Sequence, residues 1–316
     1  MNHSAKTKSV ATTTAAIEVR GLTKTYGATR AVTDLSLQVE AGKVFGFLGP
    51  NGAGKTTTIR MLLALQRPTT GKAAVLGLDS QGDSVEIHRR VGYLPGELEL
   101  YPRMTGQQHV DWFAHARGRH DSSLATRLAE RFEVVLDRPA RELSTGNRQK
   151  VGIVLAFMHR PELLILDEPT SGLDPLMQRE FERLVREAVA EGRTVFLSSH
   201  DLDEVQRLAD HVAIIKSGRL VIADTVERLR RTAPRTVNVE FHRDVDRSLF
   251  AGIGGVVVSA ADGRRLALKV TGAIGPVLKV IAENDPVDVV ARHADLDELF
   301  LDLYRDPPAP ESTDAH

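Results

Sequence analysis

The sequence predicts an α/β domain built on a mainly parallel sheet, followed by a small α+β domain. Three observations carry this. An apolar run of strand length, Lys43 to Leu48, leads into the glycine-rich Gly49-Pro50-Asn51-Gly52-Ala53-Gly54-Lys55-Thr56, and Lys55 to Leu65 reads as a helix. Leu163 to Leu166 is wholly apolar and ends in Asp167, the pattern of a buried parallel strand whose C-terminal end meets a ligand. Composition then shifts at Arg228 to Arg235, a basic stretch carrying Pro234, beyond which short strands alternate with helices. The 316 residues, 42% hydrophobic and 26% charged, suffice for one large domain or two ordinary ones, with a sizeable core.

Taken in order, residues 1–16 are rich in threonine and alanine and lack the apolar centre of a signal peptide, so a disordered tail is expected. Ile17 to Leu22 and Leu35 to Val39 alternate as the strands of an antiparallel N-terminal sheet would, with Tyr26 at the turn between them. After the first helix, Arg67 to Gly71 turns into a short strand, Lys72 to Leu76, and Val91 to Leu94 is a strand stopped by Pro95. Residues 105–136 look helical, broken at Gly118-Arg119-His120, within a helical insert expected around 105–160. The helix after Asp167 presents Met177, Phe181, Leu184, Val185 and Ala188 at helical spacing, as core residues. Thr194 to Leu197 is the next buried strand, with Ser198-Ser199-His200 at its end, and a hairpin turns at Ser217-Gly218. In the last region the expected strands are 236–241, 256–259, 266–270 and 287–291, with helices near 274–283 and 296–304. Residues 306–316 carry three prolines among polar residues and read as a second disordered tail.

Several function classes are excluded or disfavoured at this level. With no cysteine there are no disulfides, thiolate chemistry or cysteine zinc sites, a composition compatible with the cytoplasm. A formal net charge of −1 gives no global pull toward nucleic acid or anionic lipid. No apolar run reaches the roughly 18 residues of a membrane-spanning helix, so work at a membrane goes through a partner.

The glycine-rich segment matches the phosphate-binding pattern Gly-x-x-x-x-Gly-Lys-Ser/Thr in full. Glycines let successive N–H groups turn inward around phosphates, and the following helix adds its positive end. Gly49 to Thr57 are therefore nucleotide-binding candidates, with Lys55 on the β- and γ-phosphates and Thr56 a magnesium ligand. Asp167 and Glu168 stand together at a strand end. In phosphate-loop ATPases the first carboxylate supports magnesium, and the second is placed to polarise the attacking water. Tyr26 is either a partly buried aromatic or a stacking partner for adenine, and His200 either a core or capping histidine or a catalytic one.

Tyr26, the phosphate loop, Leu143-Ser144-Thr145-Gly146-Asn147, the strand ending Asp167-Glu168, and His200 occur in one order across residues 17–230, with Ser171-Gly172-Leu173-Asp174 between them. In this the chain resembles the ATP-binding subunits of ABC (ATP-binding cassette) transporters. The resemblance implies a phosphate-loop NTPase core over 17–230, with an accessory domain over 235–305. It implies ATP and Mg2+ as cofactors and a head-to-tail homodimer or pseudo-dimer. Each ATP lies between the phosphate loop of one subunit and Ser144 and Gly146 of the other, with Asp174 nearby. Glu168 is then the general base, His200 holds the γ-phosphate and water, and an integral membrane subunit binds near 96–112. Such a subunit sits peripherally on the cytoplasmic face of the cell membrane.

Two departures stand out. The usual Leu-Ser-Gly-Gly-Gln signature has Thr145 and Asn147 at its third and fifth places. Where the family carries a glutamine after Tyr93-Leu94-Pro95, this chain has Gly96 and Glu97. The signature variant, the Tyr-Leu-Pro-Gly-Glu segment, the C-terminal domain and its Asp295 to Phe300 segment resemble a bacterial subgroup exporting drugs, antibiotics or other hydrophobic compounds. The alternatives are a soluble ATPase acting on ribosomes or DNA, disfavoured by the single phosphate loop and the absence of a long heptad run, and a regulatory cassette that hydrolyses ATP poorly. The accessory domain either steadies a dimer, senses a regulator or is a structural appendage.

Overall fold

The computed structural model describes residues 15–118, 123–232 and 234–292. The chain divides into two compact units between Ala223 and Asp224, a few residues before the basic stretch, because the helix Val226–Thr232 goes with the second.

The first unit holds two sheets. In one, β1 (Ala15–Tyr26) pairs antiparallel with β2 (Thr29–Glu40) on one side and with β4 (Thr70–Val75) on the other, and β5 (Leu78–Asp79) completes the order β2-β1-β4-β5. Ala15 and Ala16, expected in the tail, are already strand, and Ala15 pairs with Glu40. Alternation is the cause: Ile17, Val19 and Leu22 of β1 face Leu35, Leu37 and Val39 of β2 in one buried cluster. The second sheet has the order β10-β9-β3-β8-β7-β6, from β3 (Val44–Leu48), β6 (Val91–Leu94), β7 (Leu163–Asp167), β8 (Thr194–Ser199), β9 (His211–Lys216) and β10 (Arg219–Thr225). β9, β3, β8, β7 and β6 are mutually parallel. Every residue of β3, β7 and β8 is buried, as expected of strands covered on both faces. Phe196 stacks on Phe45 and lies tilted against Phe47, at centroid separations of 5.7 and 5.5 Å.

Helix α1 (Lys55–Leu62) is shorter than expected, stopping before Leu63. The insert resolves into α3 (Gly106–Ala116), started by a Thr105/Gln108 capping box, and α4 (Ser123–Arg131). α5 (Thr145–Phe157) and α6 (Pro175–Ala190) follow. Phe181, Leu184, Val185 and Ala188 of α6 are buried as predicted, whereas Met177, in the first turn, is half-exposed. Two further seven-residue helices lie beyond the elements expected from sequence: α2 (Ser84–Arg90), which buries only Ile87, and α7 (Leu202–Leu208), which buries Leu202, Val205 and Leu208 along one face.

The second unit begins with α8 (Val226–Thr232). Its antiparallel sheet has the order β12-β13-β11-β14, from β11 (Arg235–Phe241), β12 (Val256–Asp262), β13 (Arg265–Val270) and β14 (Pro286–Arg292). Val237, Val239, Phe241, Leu266, Leu268 and Val270 form one buried layer with Phe250 and with Val277 and Ile281 of α9 (Gly275–Glu283). The helix expected at 296–304 and both expected tails, apart from Ala15 and Ala16, lie outside the described residues.

Candidate functional site

Three adjacent strands bring the site together. β3, β8 and β7 are neighbours, with Leu48 opposite Ser199 and Asp167 opposite Ser198. The residues just beyond those ends are Gly49, His200 and Glu168, so segments far apart in sequence converge at the carboxyl edge of the sheet. The loop between β3 and α1 is held by close backbone packing. A Cβ on Gly49 would lie 2.5 Å from the Ile215 carbonyl oxygen, and one on Gly54, at φ 105°, 2.5 Å from that of Ala31. Only glycine fits either position.

The side chains converge too. Lys55 is buried, and its Nζ lies 2.6 Å from the Gly49 carbonyl, 3.3 Å from that of Pro50 and 3.1 Å from Glu168 Oε1. That last contact is an ion pair without hydrogen-bond alignment, and Oε1 is otherwise a buried acceptor lacking a donor. Thr56 Oγ1 donates to Asp167 Oδ2 at 2.7 Å, while the Ser198 hydroxyl donates to Asp167 Oδ1. Glu168 stands in the left-handed region at φ 50°, its N–H bonded to Ser198, and its Oε2 is 2.6 Å from His200 Nδ1. A non-glycine residue held there is the kind of local strain that surrounding structure imposes at functional sites. Asn51, Thr56, Arg60, Gly96, Glu97, Asp167, Glu168, Ser171 and His200 share a cavity of about 520 Å³, and Pro50, Gly52, Gly54, Lys55 and Thr57 line a second beside it.

The remaining candidates stand elsewhere. Tyr26 ends β1, 44% exposed, with Lys24 Nζ 5.1 Å from its ring centroid. Ser144 caps α5, its Oγ accepting the Asn147 N–H at 3.2 Å. Gly146 is wedged against the loop after β7, where a Cβ would meet the Gly172 carbonyl oxygen at 2.6 Å. Asn147 clamps Val135, accepting its N–H and donating to its carbonyl, both at 3.1 Å. Asp174 caps α6, and the N–H groups of Met177 and Leu176 hold its carboxyl below the usual range. Among the described residues, neither cavity is lined by any of 143–147 or by Asp174. A Cβ at Gly96 would sit 3.3 Å from Asp167 Oδ2, so a side chain there would crowd that carboxylate.

Some contributors escaped the sequence reading. Gln149 is buried and donates to the carbonyls of Glu168 and Pro169, tying α5 to the carboxylate loop. Flanked by Arg148 and Lys150 in a polar run, Gln149 carries no signal of this role in the sequence. From sequence, Ser198 and Tyr93 read only as positions in or at the end of a strand. Burial, then the Asp167 charge, pushes the Tyr93 phenol up to about 12.

A family model described as ABC transporter matches residues 32–171. The bacitracin transport ATP-binding protein BcrA of Bacillus licheniformis is 40% identical over 221 residues, covering 68% of this chain and 71% of that protein. The chain belongs to the ABC transporter ATP-binding family. The daunorubicin/doxorubicin resistance ATP-binding protein DrrA of Streptomyces peucetius is 33% identical over 95% of this chain and 96% of its own length. Among solved structures, the dimeric cassette MJ0796 aligns with a TM-score of 0.62 over 66% of this chain and 98% of that one, and at 22% identity it bears on the fold alone. As an ABC ATP-binding subunit the chain is an ATPase with the α/β cassette fold that its sequence predicts. No helix among the described residues is long and apolar enough to cross a membrane.

Proposed function

We propose that this ABC subunit hydrolyses ATP with Glu168 as general base, and that hydrolysis powers export of a drug, antibiotic or other hydrophobic compound through a separate membrane subunit. The observation that carries the chemistry is the meeting of Lys55, Thr56, Asp167, Glu168 and His200 at contact distances on one sheet edge. Bound polyphosphate competes with Glu168 for the Lys55 ammonium, and transfer of Lys55 to the β- and γ-phosphates frees Oε1. Glu168 then takes a proton from water as the water oxygen bonds to the γ-phosphorus. The bond from that phosphorus to the bridging oxygen breaks, and ADP leaves with phosphate. His200, linked to Glu168 Oε2, orients the water and γ-phosphate.

Magnesium fits the donor set. Thr56 Oγ1 and Asp167 Oδ2 are adjacent hard oxygens, and no group of three or more acidic, histidine or cysteine side chains among the described residues forms a complete cage. That suits an ion that takes most of its ligands from phosphates and water. Thr56 would ligate it and Asp167 would support it, and the bound ion would neutralise charge on the phosphates.

Ser144 and Gly146 lie at the start of α5, away from the cavity lining, which supports delivery of the signature by a second cassette in a head-to-tail dimer. The dimeric MJ0796 cassette supplies the fold-level precedent. For the membrane subunit, the docking surface is an apolar groove of about 320 Å³ lined by Leu63, Leu65, Pro95, Leu98 and Phe113. Tyr93 and Pro95 line both this groove and the nucleotide cavity, a shared wall through which nucleotide state reaches the partner. The match to DrrA over nearly the whole chain favours the drug-export reading and a peripheral place on the cytoplasmic face of the membrane. The test is affinity capture of tagged Glu168→Gln protein from solubilised bacterial membranes. A stoichiometric polytopic protein supports the reading, and ribosomes or DNA without one overturn it.

A further inference from the structure

Glu204, in the first turn of α7, is buried and does not itself line the nucleotide cavity. Both its oxygens are used. Ser199 Oγ donates to Oε2 at 2.5 Å and Thr170 Oγ1 donates to Oε1 at 2.8 Å. Ser199 immediately precedes His200, and Thr170 follows Glu168 by two residues. Ser199 Oγ also accepts the Asp201 N–H at 2.9 Å, which leaves its proton for Glu204 as the nearer acceptor. With the His200–Glu168 contact at 2.6 Å, the links close into a ring running Glu204, Ser199, His200, Glu168, Pro169, Thr170 and back to Glu204.

We propose that Glu204 is a positioning residue for hydrolysis, whose two oxygens set the spacing between the strand end that carries His200 and the loop that carries Glu168. This rests on the reading of Glu168 and His200 as the catalytic pair. The segment from Glu168 to Asp174 is otherwise held by the Glu168 N–H bond to Ser198, by Gln149 donating to two carbonyls, by turns joining Ser171 to Glu168 and Leu173 to Thr170, by Gln178 donating to the Leu173 carbonyl and by the packing of Gly172 on Gly146; of these only the Ser198 bond reaches β8. Loss of the Thr170 arm lets this segment drift from β8, and displacements near 1 Å from productive geometry lower rates by about a hundredfold. Burial pushes the Glu204 carboxyl upward, against the Ser199 and Thr170 hydrogen bonds, with Asp201 and Glu168 adding like charge. A neutral glutamine keeps one carbonyl acceptor and so holds one arm.

The experiment compares the full-length parent with Glu204→Ala, Glu204→Gln and Thr170→Val. Single-turnover ATP hydrolysis, fluorescent ATP-analogue binding and Tm are measured for each. The expected result is a loss of roughly tenfold or more in the hydrolysis rate for both Glu204→Ala and Thr170→Val, and a value between parent and alanine for Glu204→Gln. Analogue affinity stays within about threefold, since the phosphate loop is untouched. A lowered Tm with an unchanged rate per folded molecule overturns the proposal and leaves Glu204 a strut. Where Glu204→Ala fails to fold, Thr170→Val decides, and an unchanged rate refutes the positioning role. A parent that binds the analogue but does not hydrolyse ATP sinks the catalytic reading itself, which is a different outcome.

Discussion

Replacing Gly146 with alanine probes the contact between the signature turn and the loop after β7. The new methyl would lie 2.6 Å from the Gly172 carbonyl oxygen, and ordinary contact begins near 3.4 Å. The two backbones must therefore part by about 0.8 Å, because neither side offers a flexible side chain to swing away. Overpacking of this kind costs about 1–3 kcal/mol, which lowers Tm by roughly 2–12 °C in a unit of this size. The same shift displaces the segment that leads back to Glu168, so hydrolysis should fall about ten- to a hundredfold. Nucleotide binding by the chain's own phosphate loop should not change. Phosphate release at saturating MgATP, a thermal melt and analogue binding measure the three quantities. Gly275→Ala is the matched control, because a Cβ there meets nothing within 4 Å. A Gly146→Ala protein with parental Tm and a rate within about threefold of the parent refutes the argument.

Three further outcomes are expected. Glu168→Gln should lower the single-turnover hydrolysis rate by about 10²–10⁴ while preserving or tightening ATP binding, because Lys55 loses its 3.1 Å anionic neighbour; parental hydrolysis would exclude the general-base role. Leu98→Asp, in the apolar groove, should abolish co-purification with the membrane subunit and leave ATP-analogue binding by the chain unchanged, and retained partner binding would move the docking surface elsewhere. Tyr93, raised to about 12, contributes stability that is fully present below the unfolded value near 10 and lost as pH rises through 12. Tyr93→Phe should therefore flatten the decline in Tm across that alkaline window, and an identical slope in parent and variant would argue against a buried phenol.

What could be read from the chain, and what could not, divides by range. The phosphate loop and the Asp167-Glu168 strand end announce themselves because their constraints are local: glycines where backbone must approach, an apolar run, then a charge. Strands β3, β6, β7 and β8 follow from the same kind of run. α2 was not legible because a short helix that buries only Ile87 leaves no periodic stripe, and α7 shows its Leu202, Val205 and Leu208 over barely two turns, too short a window for a period to stand out. Gln149, Ser198 and the Thr170 arm of Glu204 reach across 19 to 34 residues, and nothing in their immediate neighbours names those partners. Asp174, a nucleotide-binding candidate from its place in a motif, also caps α6, a local role that its sequence position before Pro175 makes legible.

The turn joining β9 to β10 offers a lesson for anyone re-engineering the chain. Ser217 is exposed at a hairpin tip, which makes it a natural place to open new termini or graft a tag. Yet Gly218 beside it donates its N–H to the Ala53 carbonyl at 2.9 Å and accepts the Thr33 N–H at 2.8 Å, and a Cβ there would meet the Ala31 carbonyl oxygen at 2.6 Å. The same Ala31 oxygen sits 2.5 Å from where a Cβ on Gly54 would be. One peptide group of β2 is thus gripped between the hairpin and the phosphate loop. A circular permutant cut at this tip would release that grip and loosen a nucleotide site encoded more than a hundred residues upstream, whereas the connection at Gly192, where a Cβ would meet nothing within 4 Å, carries no such tie.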